Sequence, residues 1–188
     1  MTQLIIENSG ETGSLVVARD RSLVLEKSFQ GSAELATLAD TTIKGIDRLD
    51  EIVVGIGPGS YTGLRVAVAT ALGIKLGLGC RTFGCPSVLG YFEENYLVIG
   101  DVRRGALFLG EIRAGKLAEL PRLVPRAEIV AEISKAAVKR IFVTSSIAEL
   151  PEAEVVLPHA RYLVGRDESY VELQEPIYLK APHITHPK

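Results

Sequence analysis

Apolar positions near the start of the chain come in short, β-branched runs separated by small polar residues. Leu4, Ile5 and Ile6 open one run, Asn8 to Gly13 interrupt it, and Ser14 to Ala18 resume it. Arg19, Asp20 and Arg21 break the pattern again before Ser22 to Phe29. Runs of this length between turn residues predict a three-stranded antiparallel meander. The period then changes. Leu35, Leu38, Ala39, Thr42, Ile43, Ile46 and Leu49 recur at spacings of three and four, which predicts a helix from Ser32 to Leu49. Ser32 is the expected N-cap, with Glu34 favourably placed in the first turn. A buried strand is expected at Glu51 to Ile56. The loop Gly57-Pro58-Gly59 follows, then a helix from about Ser60 to Gly77.

The pattern then repeats in shorter form. Arg81 to Phe83 reads as a strand and Ser87 to Glu94 as a helix. A second meander follows at Tyr96 to Gly100, Ala106 to Ile112 and Lys116 to Leu120, with Gly115 at its turn. Ala127 to Ala137 reads as a helix, Arg140 to Thr144 and Glu154 to Leu157 as strands, and Pro158 to Gly165 as a short helix opened by its proline. The tail, Pro176 to Lys188, is expected to be extended. Three strands, a helix, a strand and a helix thus occur twice, the signature of two similar stacked halves. The expected fold is α/β of the actin/Hsp70/sugar-kinase-like (ASKHA) class. Its N-terminal lobe would span residues 1–95 and its shortened C-terminal lobe residues 96–188.

The segment Gly55 to Arg65, GIGPGSYTGLR, carries the densest signal. A strand ends, a glycine- and proline-rich loop follows, and Ser60 can cap the helix that opens. Two readings fit. Free N–H groups at a helix start could cradle an anion, although a Walker loop would place Lys and Ser or Thr after its last glycine, where Leu64 and Arg65 stand. Alternatively the segment is a hinge whose small residues permit close packing. Val66 to Ile74 leaves no polar face, so this helix is expected to be buried on all sides, either by a partner chain or by the other half of its own. Small residues at Ala67, Ala71 and Gly73 would let another helix approach. Spacing picks out Tyr61, Leu64, Val68, Leu72 and Leu76 as one stripe. Leu35, Leu38, Thr42 and Ile46 form its companion on the first helix.

Composition narrows the function classes. The 188 residues are 47% hydrophobic and 23% charged, as in soluble globular domains. Net charge is −2, with −3 on residues 1–95 and +1 on the remainder. Neither half has a run of Lys and Arg, which argues against strong autonomous RNA binding. Cys80 and Cys85 make neither a disulfide framework nor a zinc site. Met1 leads directly into a strand-like run, and the most apolar stretch is too short to span a bilayer. The cytoplasm is therefore the expected compartment.

The stretch GIGPGSYTGLRVAVATALGIKLGL closely resembles the signature of the TsaB (YeaZ) family, G-P-G-S-[FY]-T-G-L-R followed by an Ala- and Gly-rich helix. Asp101-Val102-Arg103-Arg104-Gly105 is similar to that family's D-A-R-x-G segment, and Glu175 to Lys180 to its terminal P-x-Y-L-R/K. The resemblance implies a two-lobed ASKHA fold. It implies a non-catalytic subunit needed to form threonylcarbamoyl-adenosine beside the anticodon of tRNA. The catalytic homologue TsaD would be its partner, joined by the ATPase TsaE, and tRNA would be met only through the complex. Pairing would use the first two helices, where the stripes above and Arg65 lie, with a homodimer through the same helices when the chain is alone. No intrinsic cofactor is expected; ATP or ADP would sit only at the complex interface. The chain departs from the family where D-T-S becomes Glu7-Asn8-Ser9, and where Leu38 replaces a proline.

Candidate chemistry is otherwise sparse. His159, His183 and His186 form no His-x-x-x-His pair. Glu7 and Glu11 flank the first turn, where kinases of this fold hold Mg and phosphate. With Ser9, Gly57, Gly59 and Ser60 they outline a vestigial nucleotide site; the alternative is a turn with solvated acids. Arg103 and Arg104 suit RNA or a nucleotide as well as they suit a solvated hairpin. The rival functional class is an enzyme of the same fold, a small-molecule kinase or a metallopeptidase.

Overall fold

The computed structural model describes residues 1–102, 105–173 and 175–179. The first lobe begins with the meander β1 (Thr2–Glu7), β2 (Thr12–Arg19) and β3 (Ser22–Gln30). Helix α1 (Leu35–Ile43) leads to β4 (Glu51–Gly55), and helix α2 (Tyr61–Leu78) to β5 (Arg81–Cys85). The second lobe holds β6 (Tyr96–Asp101), β7 (Ala106–Arg113), β8 (Lys116–Leu117), β9 (Arg122–Pro125), α3 (Ile129–Lys135), β10 (Ile141–Val143) and β11 (Glu154–Val155). The chain then returns to the first lobe as β12 (Val171–Glu172), which pairs antiparallel with β5.

Two six-stranded mixed sheets result, ordered β12-β5-β4-β1-β2-β3 and β11-β10-β6-β7-β8, with β9 also on β7. Their plans match. The first strand of each lobe pairs antiparallel with the second, β1 with β2 and β6 with β7. It pairs parallel with the strand after the lobe's first helix, β1 with β4 and β6 with β10.

Alternation along the strands divides the core into three layers. Leu4 and Ile6 of β1 point to α1 and α2, with Leu35, Ala39, Ala67 and Ala71. Ile5 points the other way, into a core shared by both sheets that includes Val53, Tyr96, Val98 and Phe142. Leu97 and Ile99 face α3 on the far side. Strand β1 is buried on both faces, so its apolar run is continuous rather than alternating with polar residues.

Several elements differ from the sequence expectation. Helix α1 stops at Ile43, six residues before Leu49. Ile46 and Leu49 still pack on the same core, because a non-helical turn brings them back to it. Ser32 does not cap α1: its N-cap is Glu34, without a side-chain hydrogen bond. The helix expected at Ser87 to Glu94 is only a 3-10 turn, Ser87–Leu89. Beyond it Tyr91 stacks on Phe142, centroids 5.3 Å apart, in the shared core, and this tertiary packing overrides helical spacing. The helix expected at Pro158 to Gly165 is a 3-10 turn, Ala160–Leu163, tied to the first sheet by the Ala160 N–H donating to Ser14 Oγ at 2.9 Å.

Candidate functional site

The site is built on the turn from β4 into α2 and its neighbour, the turn from β1 into β2. Gly57 has φ +94°, a left-handed conformation suited to glycine. Its N–H donates to Ser87 Oγ at 2.9 Å, and its carbonyl accepts the Ser87 N–H at 2.9 Å. Ser60 caps α2 as expected, its hydroxyl accepting the Gly63 N–H at 3.2 Å. The Ser60 N–H donates to the Ser9 carbonyl at 2.7 Å. A Cβ on Gly59 would lie 2.5 Å from Ser9 Cβ, and one on Gly63 would lie 2.0 Å from the Asn8 carbonyl oxygen. The glycines at 59 and 63 therefore mark where two turns interlock. That is the hinge geometry, and it already occupies the Ser60 and Gly63 amides.

The acids expected at a nucleotide site lie differently. Glu7 is 1% exposed. Its Oε1 accepts the Ser9 N–H at 2.7 Å, while Oε2 has no hydrogen-bond partner among the described residues. Burial raises its carboxyl above the usual carboxylate range, opposed by hydrogen bonds at Ser9. Burial, with the Glu7 charge adding, pushes the Cys85 thiol up to about 12. The corresponding acid of the second lobe, Asp101, pairs with Arg126 at 2.6 Å.

A cleft of about 1090 Å³ runs between the lobes. Ser9, Glu11, Gly59 and Ser60 line it, while Glu7 and Gly57 are buried behind that wall. Thr144, Ser145, Leu157 and Pro158 form the second-lobe side. Ile177 to Leu179 closes one end: the Ile177 N–H donates to the Ile56 carbonyl at 2.7 Å, and the Tyr178 ring centroid lies 5.4 Å from that of Tyr61. The Arg65 guanidinium lies 5.2 Å from the Tyr61 ring centroid and donates to its hydroxyl at 2.6 Å. The GPGSYTGLR segment and the terminal P-x-Y-L segment thus meet at these two tyrosines, a juxtaposition that spacing could not show.

The helix stripes need correction. Leu35, Thr42, Leu64 and Val68 are buried within this chain, so they are core residues and not docking residues. Leu38, Ile46 and Leu72 are half-buried against the same core. Tyr61, Arg65 and Leu76 are at the surface, with Leu76 89% exposed. Ala67 and Ala71, expected to admit a second helix, face the sheet. The outward side of α2 is Arg65, Ala69, Gly73 and Leu76, all exposed, and nothing lies within 4 Å of where a Gly73 Cβ would be. Burial between the lobes is therefore not what covers this face.

His159 is the N-cap of the 3-10 turn after β11: Nδ1 accepts the Arg161 N–H at 3.2 Å. Arg103, Arg104, Lys180, His183 and His186 lie outside the described residues. Among those described, no three His, Cys, Asp or Glu side chains gather as a metal site would require. No described helix is long and apolar enough to cross a membrane.

Comparison with known proteins adds the following. The family model for TsaD, tRNA N6-adenosine threonylcarbamoyltransferase, matches residues 33–104, the segment that contains α1 and α2. The uncharacterised protein Rv3421c of Mycobacterium tuberculosis is 39% identical over 77 residues, 39% of this chain and 36% of that protein. The uncharacterised protein ML0378 of Mycobacterium leprae is 38% identical over 84 residues, 43% of this chain and 23% of that one. The match thus spans little more than a third of these relatives at most. YeaZ from Pseudomonas aeruginosa superimposes with a TM-score of 0.69 at 21% identity, covering 94% of this chain and 100% of that one. The ethanolamine utilisation protein EutJ from Carboxydothermus hydrogenoformans gives 0.51 at 14% identity, covering 87% of each chain.

Matched sheet plans, a shared inter-sheet core and these superpositions define an ASKHA-type α/β protein. Within that class the GPGSYTGLR signature resembles that of the TsaB (YeaZ) family, residues 33–104 match the TsaD family model, and the fold is similar to that of YeaZ.

Proposed function

We propose that the chain is a non-catalytic subunit of the system that forms threonylcarbamoyl-adenosine in tRNA, docking a catalytic TsaD homologue on the outward side of α1 and α2. The observation that carries this reading is the open face of α2. Arg65, Ala69, Gly73 and Leu76 lie uncovered on a helix whose opposite face buries Leu64, Ala67, Val68 and Ala71. Small residues let a second helix approach closely, and exposed Tyr and Arg beside them are residue types that dominate interface energetics. Both helices lie in the segment that resembles TsaD, residues 33–104. The surfaces available are Leu38 on the first helix, Ile46 in the turn that follows it, and Tyr61, Arg65, Leu72 and Leu76 on the second helix.

On this reading the chain transfers no threonylcarbamoyl group alone, works with TsaE in the cytoplasm, and meets ATP or ADP only at the interface. It meets tRNA only through the complex, and alone it pairs with a second copy through the same helices. Glu7 does not fit an open Mg–phosphate site: it is buried and turned back onto Ser9.

Reconstitution tests the proposal. Threonylcarbamoyl-adenosine should form when the chain is combined with a TsaD homologue from the same organism, TsaE and ATP, and should fall to background when either the chain or TsaD is left out. Turnover by the chain alone, abolished by a substitution within it, would overturn the reading and favour an enzyme of this fold.

A further inference from the structure

We infer that Asn8 is a positioning residue that holds the start of α1 against the first turn of α2, and so sets the surface on which the partner docks. The inference rests on the docking reading above. Asn8 sits at the end of β1, 3% exposed. Its Nδ2 donates to the Gly63 carbonyl at 3.0 Å and to Ser32 Oγ at 3.3 Å. One amide group thus ties Gly63, in the first turn of α2, to Ser32, three residues before α1.

Three further observations give this bridge weight. First, α1 has only nine residues, and its N-cap Glu34 makes no side-chain hydrogen bond. A short helix lacking a cap depends on tertiary ties for its ends. The Ser32 hydroxyl, two residues before that N-cap, accepts from Asn8. Second, the backbone around Asn8 has no slack. A Cβ on Gly63 would meet the Asn8 carbonyl oxygen at 2.0 Å, and one on Gly13 would meet Asn8 Oδ1 at 2.8 Å. The Asn8 backbone is therefore packed on Gly63 and its side-chain oxygen on Gly13. Third, the next residue, Ser9, takes the Ser60 N–H on its carbonyl, so the turn after β1 grips the α2 start at two successive residues. Asparagine has two N–H donors on one amide and so reaches the first turn of α2 and the segment before α1 at once.

A double-mutant cycle on the full chain tests this, with Asn8→Ala, Ser32→Ala and both together. Two quantities are read for each: amide hydrogen exchange across residues 35–43 of the free chain, and affinity for a TsaD homologue. Asn8→Ala should raise exchange in α1 about tenfold relative to β4, and weaken capture by about as much. Ser32→Ala alone should do the same by about fivefold, and should add nothing when Asn8 is already alanine. A purely structural role for Asn8 would instead loosen α1 and β4 together and leave the two substitutions additive; either result overturns the inference. If Asn8→Ala does not fold, Ser32→Ala, which leaves the bond to Gly63 intact, carries the test alone, and unchanged α1 exchange in it overturns the inference. If the unsubstituted chain captures no TsaD homologue, the docking reading fails and the partner-positioning claim falls with it. The exchange data on the free chain then decide by themselves whether Asn8 holds α1.

Discussion

The two lobes share a strand plan but not a helix count. In the first, β4 is joined to its parallel neighbour β5 by the eighteen residues of α2. In the second, β10 is joined to its parallel neighbour β11 through residues 144–153, which contain no helix. The second lobe therefore covers its outer core with α3 and irregular chain, Ile147 and Leu150 included. The first lobe carries a long helix with one face in the core and the other in solvent. A helix is not needed between these last two parallel strands, since the second lobe joins β10 to β11 without one. What α2 adds is an ordered outward surface, and this is why the function is placed there.

The largest expected effects come from breaking the inward face. An unpaired carboxylate at Leu64 or Val68 would sit in the α2–sheet core, at a cost of about 3–5 kcal/mol, against a total domain stability of ~5–15 kcal/mol. Leu64→Asp and Val68→Asp should lose most or all of the cooperative unfolding transition followed by circular dichroism. A native transition at unchanged temperature would show that these residues do not face the core.

Two glycines of the same helix sharpen the contrast. Gly63→Ala drives a methyl into the Asn8 backbone oxygen and should destabilise by about 2 kcal/mol or more. Gly73→Ala meets open space and should stabilise by about 0.5–1 kcal/mol through helix propensity. Urea midpoints measured side by side decide between these signs. Gly73→Ala should nonetheless weaken docking, because it raises the floor of the outward strip.

The smallest expected effect is on pH dependence. Glu7 has a folded-state pKa raised above its unfolded value, mainly by burial. The native state therefore holds its proton to higher pH than the unfolded chain does. The resulting penalty is absent below the unfolded pKa, grows as pH rises through the interval, and is complete above the folded pKa. Glu7→Gln removes that titration. Its melting temperature relative to the unsubstituted chain should rise between pH 4 and pH 8; a flat difference would mean that Glu7 is solvated in the folded state.

Much of this contrast was legible in the residues. The meanders and β4 follow from short apolar runs between turn residues, and Ser60 was readable as the cap of α2 from its place after a Gly-Pro-Gly loop. The face of α2 was not. Apolar residues occur all round the helix, so nothing in the spacing separates Leu64, 1% exposed, from Leu76, 89% exposed. Only the sheet beneath decides, and its twist and register are tertiary facts. The ends of α1 were misjudged because Ile46 and Leu49 keep a helical spacing while packing from a turn. Strand β12 has two residues and joins a sheet whose nearest strand lies more than eighty residues earlier, beyond the reach of local pattern. The Asn8 bridge was hidden for a similar reason: position 8 reads as a turn residue, and its partners are 24 and 55 residues away.

The most direct test of the account is Leu76→Asp on the outward face. Leu76 is 89% exposed, so the substitution should leave the melting temperature within a few degrees of the original. Size-exclusion chromatography with light scattering, run with a TsaD homologue from the same organism, then reads docking. The account predicts a heterodimer peak for the unsubstituted chain and separate components for Leu76→Asp, an affinity loss of about a hundredfold or more. A folded Leu76→Asp chain that forms the heterodimer undiminished would contradict it, and would remove the open face of α2 from the function.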